Sequence, residues 1–167
     1  MSTVIVKKDD LTTASVDKKY PLGAVYVDYT SSDAIKPAYI YVKAGAALTK
    51  YRPYQVSISN SLNGEVTTKA PATYAFGAQI GFPQADVTNG YYIWLQIAGK
   101  ATVATTDTVA AGDYVEVLNA GTGLKLDGGG SGSTVESVQS LGIATTGTDS
   151  GNATVILSGN KVKIAGS

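Results

Sequence analysis

The sequence predicts an all-β protein, a sandwich or barrel of short antiparallel strands with an extended N-terminal arm. Short runs rich in Val, Ile, Thr and Tyr recur along the chain, and Gly- or Asn-containing turn sequences separate them. The 19 Gly residues suit a fold with many turns. The segment 91–98 carries β-branched and aromatic residues at the density typical of a largely buried strand. At 167 residues, the chain is long enough for one domain with its own core.

The first 22 residues are expected to form an arm, and residues 23–167 a single β-rich domain with a possible subdivision near residue 98. Val4, Ile5 and Val6 are β-prone, but the polar stretch that follows them cannot bury much by itself. Two interpretations stay open: a frayed terminus, or a tether whose strand pairs with a neighbouring subunit. In both, deletion of residues 2–19 leaves the melting temperature of the folded body nearly unchanged.

The rest of the chain reads as strand, turn, strand. Turn chemistry at 63–64, 88–90, 111–113 and 158–160 separates the runs, since each contains a residue tolerant of positive φ. The predicted strands cover residues 24–29, 38–42, 54–59, 73–80, 91–98, 101–105, 114–118, 124–127, 135–145, 153–157 and 161–164. Residues 133–142 also fit a short helix that begins with a capping box, although the following Ile-Ala-Thr-Thr favours a strand.

The segment around residue 99 predicts a hairpin. Gly99 and Lys100 supply the turn, and the apolar run after them returns along the first strand. Within that first strand, alternation places Ile93, Leu95 and Ile97 on one face. It places Tyr92 and Trp94 on the other, where they are expected to meet another layer or another subunit.

Composition excludes several classes of function. The formal net charge is +0, from 13 basic and 13 acidic residues, so no field favours nucleic acid or an anionic membrane surface. The chain has no His and no Cys, which removes the usual catalytic base and the common soft metal ligands. The glycine run 128–132 lacks the Lys-Ser/Thr of a phosphate loop. We therefore expect neither an enzyme nor a cofactor.

Tyrosine is the aromatic residue that the chain uses most, with 11 Tyr against 2 Phe. Tyr39 and Tyr41 share one face of a predicted strand and could form a sugar-binding platform. The alternative is a half-buried sheet surface or an interface, where a Tyr ring packs while its hydroxyl stays in water. Trp94, the only Trp, is expected to be a core or interface anchor.

Four segments in the second half of the chain occur in a familiar order. They are Gly-Tyr-Tyr-Ile-Trp-Leu-Gln-Ile-Ala-Gly-Lys-Ala-Thr-Val at 90–103, Ala-Ala-Gly-Asp-Tyr-Val at 110–115, Ser-Leu-Gly-Ile-Ala-Thr at 140–145 and Asn-Ala-Thr-Val-Ile-Leu at 152–157. This order resembles the C-terminal part of the head decoration, or cement, proteins of tailed bacteriophages. Residues 24–84 add a Tyr-rich portion outside the resemblance.

The resemblance implies a structural virion protein that is made in the host cytoplasm and binds the outer surface of a capsid. There it would stabilise contacts between subunits of the major capsid protein, as a homotrimer and without nucleic acid, membrane or cofactor as a partner. The alternative function is a carbohydrate-binding or adhesin-like β-sandwich module. The residues expected to contact the capsid or a second subunit are Val4, Ile5, Val6, Tyr39, Tyr41, Tyr92 and Trp94.

Overall fold

The computed structural model describes residues 5–58, 66–69, 79–117, 124–126 and 139–163. Within this part of the chain lie one 3₁₀ helix, Lys8–Leu11, and ten strands, which confirms the all-β prediction. The strands are β1 (Val25–Val27), β2 (Ala38–Lys43), β3 (Tyr54–Ile58), β4 (Val66–Lys69), β5 (Ile80–Pro83), β6 (Tyr92–Ala104), β7 (Tyr114–Val117), β8 (Leu124–Leu126), β9 (Gln139–Ala144) and β10 (Asn152–Lys163).

The first half of the chain forms a closed ring of five strands. β2 pairs with β6, β6 with β5, β5 with β3 and β3 with β4, all antiparallel. A parallel contact between Lys43 of β2 and Thr67 of β4 completes the ring. The short strand β1 pairs with the first part of β2 and leaves its other edge without a strand in the described chain. The ring interior holds Val42, Ala44, Leu48, Val87, Ile93 and Leu95.

The second half is an antiparallel sheet in the order β6, β10, β9, β7, β8. One face of this sheet is apolar and packs against β5 of the ring, which contributes Ile80 and Phe82 to a shared core. The strands of the sheet contribute Ala101, Val103, Val115, Ala144, Ala153, Val155 and Leu157 to that core, and the connection between β6 and β7 contributes Val109. The alternation of these residues with polar ones explains why the chain forms strands here.

Strand β6 joins the two halves, and this corrects the predicted hairpin. Its first residues pair with β2 and its last residues pair with β10, so the strand continues through Gly99 without reversing direction. Gly99 adopts φ +80°, and a Cβ there would lie 2.7 Å from Cα of Pro37. The glycine therefore bends the strand between two sheets without reversing it. The buried Gln96 amide donates to the backbone carbonyls of Ala98 and Lys100, at 3.2 and 2.9 Å. These hydrogen bonds provide partners for two carbonyl groups at the bend.

Other strand predictions need correction as well. The predicted turn at 158–160 lies inside β10, where the register against β9 shifts between Leu157 and Val162. Residues 139–144 are extended, so the helix alternative is wrong for them. Residue 98, near which the sequence allows a subdivision, lies in β6 where it passes from one sheet to the other. Several predicted turns and most of the predicted strand 73–80 lie outside the described residues. They fall in the segments 59–65, 70–78, 118–123 and 127–138.

Candidate interaction surfaces

The outer face of the ring carries an aromatic cluster on β2 and β6. Tyr41 and Trp94 are cross-strand partners, and their ring centroids lie 5.1 Å apart. Tyr20 packs edge-on against Tyr41 at 5.2 Å and lies 5.3 Å from Trp94. The cluster is closed to solvent, since Tyr41 is only 2% exposed and Trp94 1%. With Leu11 and Tyr20, these two residues form a third apolar cluster, which lies outside the ring.

Residues 5–20, which we call the N-terminal strap, cover this cluster. Leu11, from the 3₁₀ helix, is 3% exposed and Tyr20 is 9% exposed because both pack onto Trp94 and Tyr41. The backbone of Ser15 exchanges two hydrogen bonds with Tyr92 of β6, at 2.9 and 2.8 Å. The expectation that this segment frays, or contributes nothing to the folded body, is therefore wrong. The strap pairs with the sheet of its own chain.

A polar contact closes the strap on itself. The Lys19 ammonium donates to Asp10 at 2.8 Å, and the Tyr20 hydroxyl donates to the other Asp10 oxygen at 2.6 Å. These two hydrogen bonds lower the pKa of Asp10 below its usual value, against a smaller effect of burial. Burial and the bond to Asp10 raise the pKa of Tyr20. The backbone N–H of Lys19 also donates to the Tyr41 hydroxyl at 3.1 Å, which ties the end of the strap to β2.

The structure brings most of the predicted interaction residues together. Val6, Tyr39 and Tyr92 are partly buried and pack against the same cluster as Tyr41 and Trp94. While the strap is in place, Tyr41 and Trp94 cannot touch a partner, and with Tyr41 buried the Tyr39–Tyr41 pair offers no open sugar platform. Ile5 is 80% exposed at the start of the described strap, and Val4 lies outside the described residues.

In the described part of the chain, the large hydrophobic side chains that are exposed fall into two groups. Ile5, Val16, Val25, Tyr29 and Ile35 lie within the first 35 residues, whereas Tyr114 and Ile143 lie in the second sheet. Sequence reasoning missed all of these except Ile5. A signal was present for Val25, since it alternates with Tyr26 in a three-residue strand, but only the tertiary structure shows that this strand is an edge.

The outer face of the second sheet carries a row of apolar side chains. Tyr114 of β7 lies opposite Ile143 of β9, and Ile143 lies opposite Ile156 of β10. Ile156 in turn lies opposite Lys100 of β6. Tyr114 is 47% exposed and Ile143 41%, so this row, which we call the Tyr114–Ile143 face, is open to solvent.

The described residues contain no group of three or more potential metal-binding side chains among His, Cys, Asp and Glu. None of the helical structure described is long and apolar enough to cross a lipid bilayer.

Comparison with known proteins finds a likeness of fold and none of sequence. No protein-family model matches the chain, and no curated protein matches it in sequence. The fold is similar to the crystal structure of the N base of the head fibre gp8.5 of bacteriophage phi29, with a TM-score of 0.52 and 15% sequence identity. The match covers 75% of this chain and 98% of that one. At this identity the likeness is one of fold, and the narrower resemblance to decoration proteins stays a prediction.

Proposed function

We propose that this protein is a structural component of a phage virion that binds the outer surface of the capsid. Its role there is to stabilise contacts between subunits of the major capsid protein. The observation that carries the proposal is the likeness to a head-fibre base, which extends over 98% of that structure. The order of segments at 90–103, 110–115, 140–145 and 152–157 supports the same class of protein independently of the fold.

The architecture suits a mechanical role. Two sheets share the continuous strand β6 and enclose two apolar cores, so the body is a block whose halves are joined by main-chain hydrogen bonds. A block that contacts several coat subunits holds them together because, after the first contact, each further contact is intramolecular. Such a role requires no catalytic group.

The capsid-facing surface is proposed to include exposed apolar side chains of the first 35 residues. Five of the seven large hydrophobic side chains that are exposed in the described part of the chain belong to this segment, between Ile5 and Ile35. Val25, 60% exposed, lies on β1, whose outer edge has no partner strand in the described chain. An edge strand with an apolar side chain can accept a strand from another protein through main-chain hydrogen bonds. The residues proposed to contact the capsid are therefore Ile5 and Val25, in place of the predicted Tyr41 and Trp94.

The protein is proposed to act as a homotrimer on the capsid. The near-absence of net charge means that copies do not repel one another at neutral pH. An assembly of copies would also bring several capsid-facing surfaces to one site and so increase the avidity for the coat.

The test is co-sedimentation with capsids assembled from the major capsid protein of the same genome. Purified protein should pellet with these particles to saturation, and bound particles should resist heating better than bare ones. Val25→Asp should weaken binding because it places a charge on the edge strand, whereas the matched variant Thr88→Asp, at an exposed polar position in the turn before β6, should bind as the wild type does. Absence of saturable binding to particles at any stage of maturation would overturn the proposal.

A further inference from the structure

We propose that the strap is a cover that opens as one unit, about a hinge at Pro21, while the ring beneath it stays folded. Opening exposes Tyr41 and Trp94, which are 2% and 1% exposed when the strap is closed. The strap thereby controls when this aromatic face is accessible. The inference concerns the free protein and does not rest on the proposed function.

The strap is attached to the body by less backbone pairing than joins the strands of the ring. In the described chain, its pairing with the body is a single bridge between Ser15 and Tyr92. By contrast, β2 and β6 are joined over six residue pairs. Of residues 5–20, only Leu11 and Tyr20 are buried, and ten are exposed to solvent. Segments with few buried apolar contacts and little backbone pairing are the ones that open at the lowest free energy.

The strongest polar contacts of the strap lie within it. The Asp10 carboxylate accepts hydrogen bonds from Lys19 and Tyr20, and all three residues belong to the strap. These contacts close that part of the strap into a loop, and they need not break when it moves away from the ring. The hydrogen bonds that opening breaks are those of the Ser15 bridge and the one from the Lys19 N–H to the Tyr41 hydroxyl.

The closed strap also leaves a buried donor without a partner. The indole N–H of Trp94 is inaccessible to solvent, and among the described residues no acceptor is bonded to it. A buried polar group without a partner costs free energy, and contact with water removes that cost. Because the strap covers the face on which Trp94 lies, opening gives the indole N–H access to water. The cost therefore opposes closure and lowers the free energy of opening.

The hydrogen bonds that follow the strap define where the moving unit ends. Gly23 N–H donates to the Tyr41 carbonyl at 2.8 Å and Tyr41 N–H donates to the Ala24 carbonyl at 2.9 Å, so the chain from residue 23 on is held to β2. The exposed Pro21 lies just before this anchored part. The ring interior lies on the opposite face of β2 and β6, and of the described strap residues only the partly buried Ala14 packs against it. The ring therefore keeps its core when the strap opens.

Native-state hydrogen exchange of the wild-type protein, followed by NMR at several low urea concentrations, tests the inference. Tyr92 and Ile93 are neighbours on β6, but the Tyr92 N–H donates to Ser15 of the strap at 2.8 Å, whereas Ile93 pairs with Val42 of β2. The protection factors of Ser15 and Tyr92 should be equal, and at least about a hundredfold lower than that of Ile93. Their dependence on urea should also be weaker, because opening exposes less surface than unfolding does.

A third amide shows whether the strap moves as one unit. The Lys19 N–H, which donates to the Tyr41 hydroxyl at 3.1 Å, should have the same protection factor as Ser15. Different protection at these two amides would mean that the bridge frays by itself, and would overturn the inference. Absence of protection at both Ser15 and Tyr92 would do so as well, because no closed state would then exist.

A variant in the ring interior separates opening from unfolding. Leu48→Ala removes a side chain that is 3% exposed in the ring core, so it should speed exchange at Ile93 by at least about thirtyfold. It should leave the protection factors of Ser15 and Tyr92 unchanged, because the ring stays folded while the strap opens. An equal effect of Leu48→Ala on all three amides, or one common protection factor for them in the wild type, would show that strap and ring unfold together and that the inference is wrong.

Discussion

The two sheets of this protein share a strand and differ in how they treat their outer faces. On the ring, Tyr41 and Trp94 are covered by the strap and are part of a third apolar cluster. On the second sheet, Tyr114 and Ile143 stay open. An aromatic residue on a strand therefore does not by itself mark a surface for partners. Whether the residue is available to a partner depends on whether another segment of the same chain covers it.

The largest effect is expected from Trp94→Ala on the covered face. Removing a buried Trp side chain leaves a cavity between the strap and the ring, and should lower the free energy of unfolding by about 3–5 kcal/mol. Tyr114→Ala, on the open face, should cost less than about 1 kcal/mol at concentrations where the protein is monomeric. Urea denaturation measures both. Equal costs would show that the two faces do not differ in burial.

Leu11→Ala tests the strap itself. Leu11 is 3% exposed, so its truncation should lower the free energy of unfolding by about 2–5 kcal/mol. The matched control is Ile5→Ala in the same strap, which should change stability by no more than about 0.5 kcal/mol because Ile5 is 80% exposed. A neutral Leu11→Ala would restore the interpretation of this segment as a free arm.

Gly99→Ala tests the bend that separates the two sheets. Gly99 and Gly112 both adopt positive φ, of 80° and 97°, so an Ala at either position is strained by about 1–2 kcal/mol. Only at Gly99 would the new Cβ meet Pro37, whereas nothing lies within 4 Å at Gly112. Gly99→Ala should therefore be the more destabilising of the two by about 1–3 kcal/mol in thermal or urea denaturation. If the two variants are equally stable, the close approach of Pro37 to β6 is wrong.

The smallest effect is the pH dependence of the strap. Because the pKa of Asp10 is lower in the folded chain than its usual 3.8, its ionised form stabilises the fold above that value. This stabilisation is lost as the pH falls through the lowered pKa. The difference in stability between wild type and Asp10→Asn should thus be present at neutral pH and vanish at strongly acidic pH. The pKa of Asp28 is also lowered, but Asp28 is present in both proteins, so its contribution cancels in the difference. A difference that persists unchanged in acid would mean that the Asp10 contacts are not formed.

Sequence alone predicted the fold class and the two faces of β6, because alternation decides which side of a strand each residue occupies. Ile93 and Leu95 lie in the ring interior, and Trp94 lies on the other face, as expected. Ile97 is only partly buried, since the register against β2 shifts at this point. The hairpin at Gly99 was wrong because a positive φ bends a strand as readily as it reverses one.

The placement of the strap could not be predicted from its composition. Residues 5–20 are mostly polar, and only Leu11 and Tyr20 are buried in the cluster, with Val6 partly buried beside it, so no periodic signal marks the segment as part of the fold. Its docking depends on a face that exists only when β2 and β6 are paired. The open row on the second sheet was missed for a related reason, because Tyr114, Ile143 and Ile156 are far apart in sequence and become neighbours only through pairing.

The central claim, that the strap covers the ring face in the free protein, is tested most directly by the fluorescence of Trp94. It is the only Trp in the chain, so its emission reports on this cluster alone. In the wild type, emission should be blue-shifted and resistant to quenching by iodide, since Trp94 is 1% exposed. Deletion of residues 2–19 should shift the emission to the red and make it accessible to iodide. Equal quenching of Trp94 in the wild-type and truncated proteins would contradict the account.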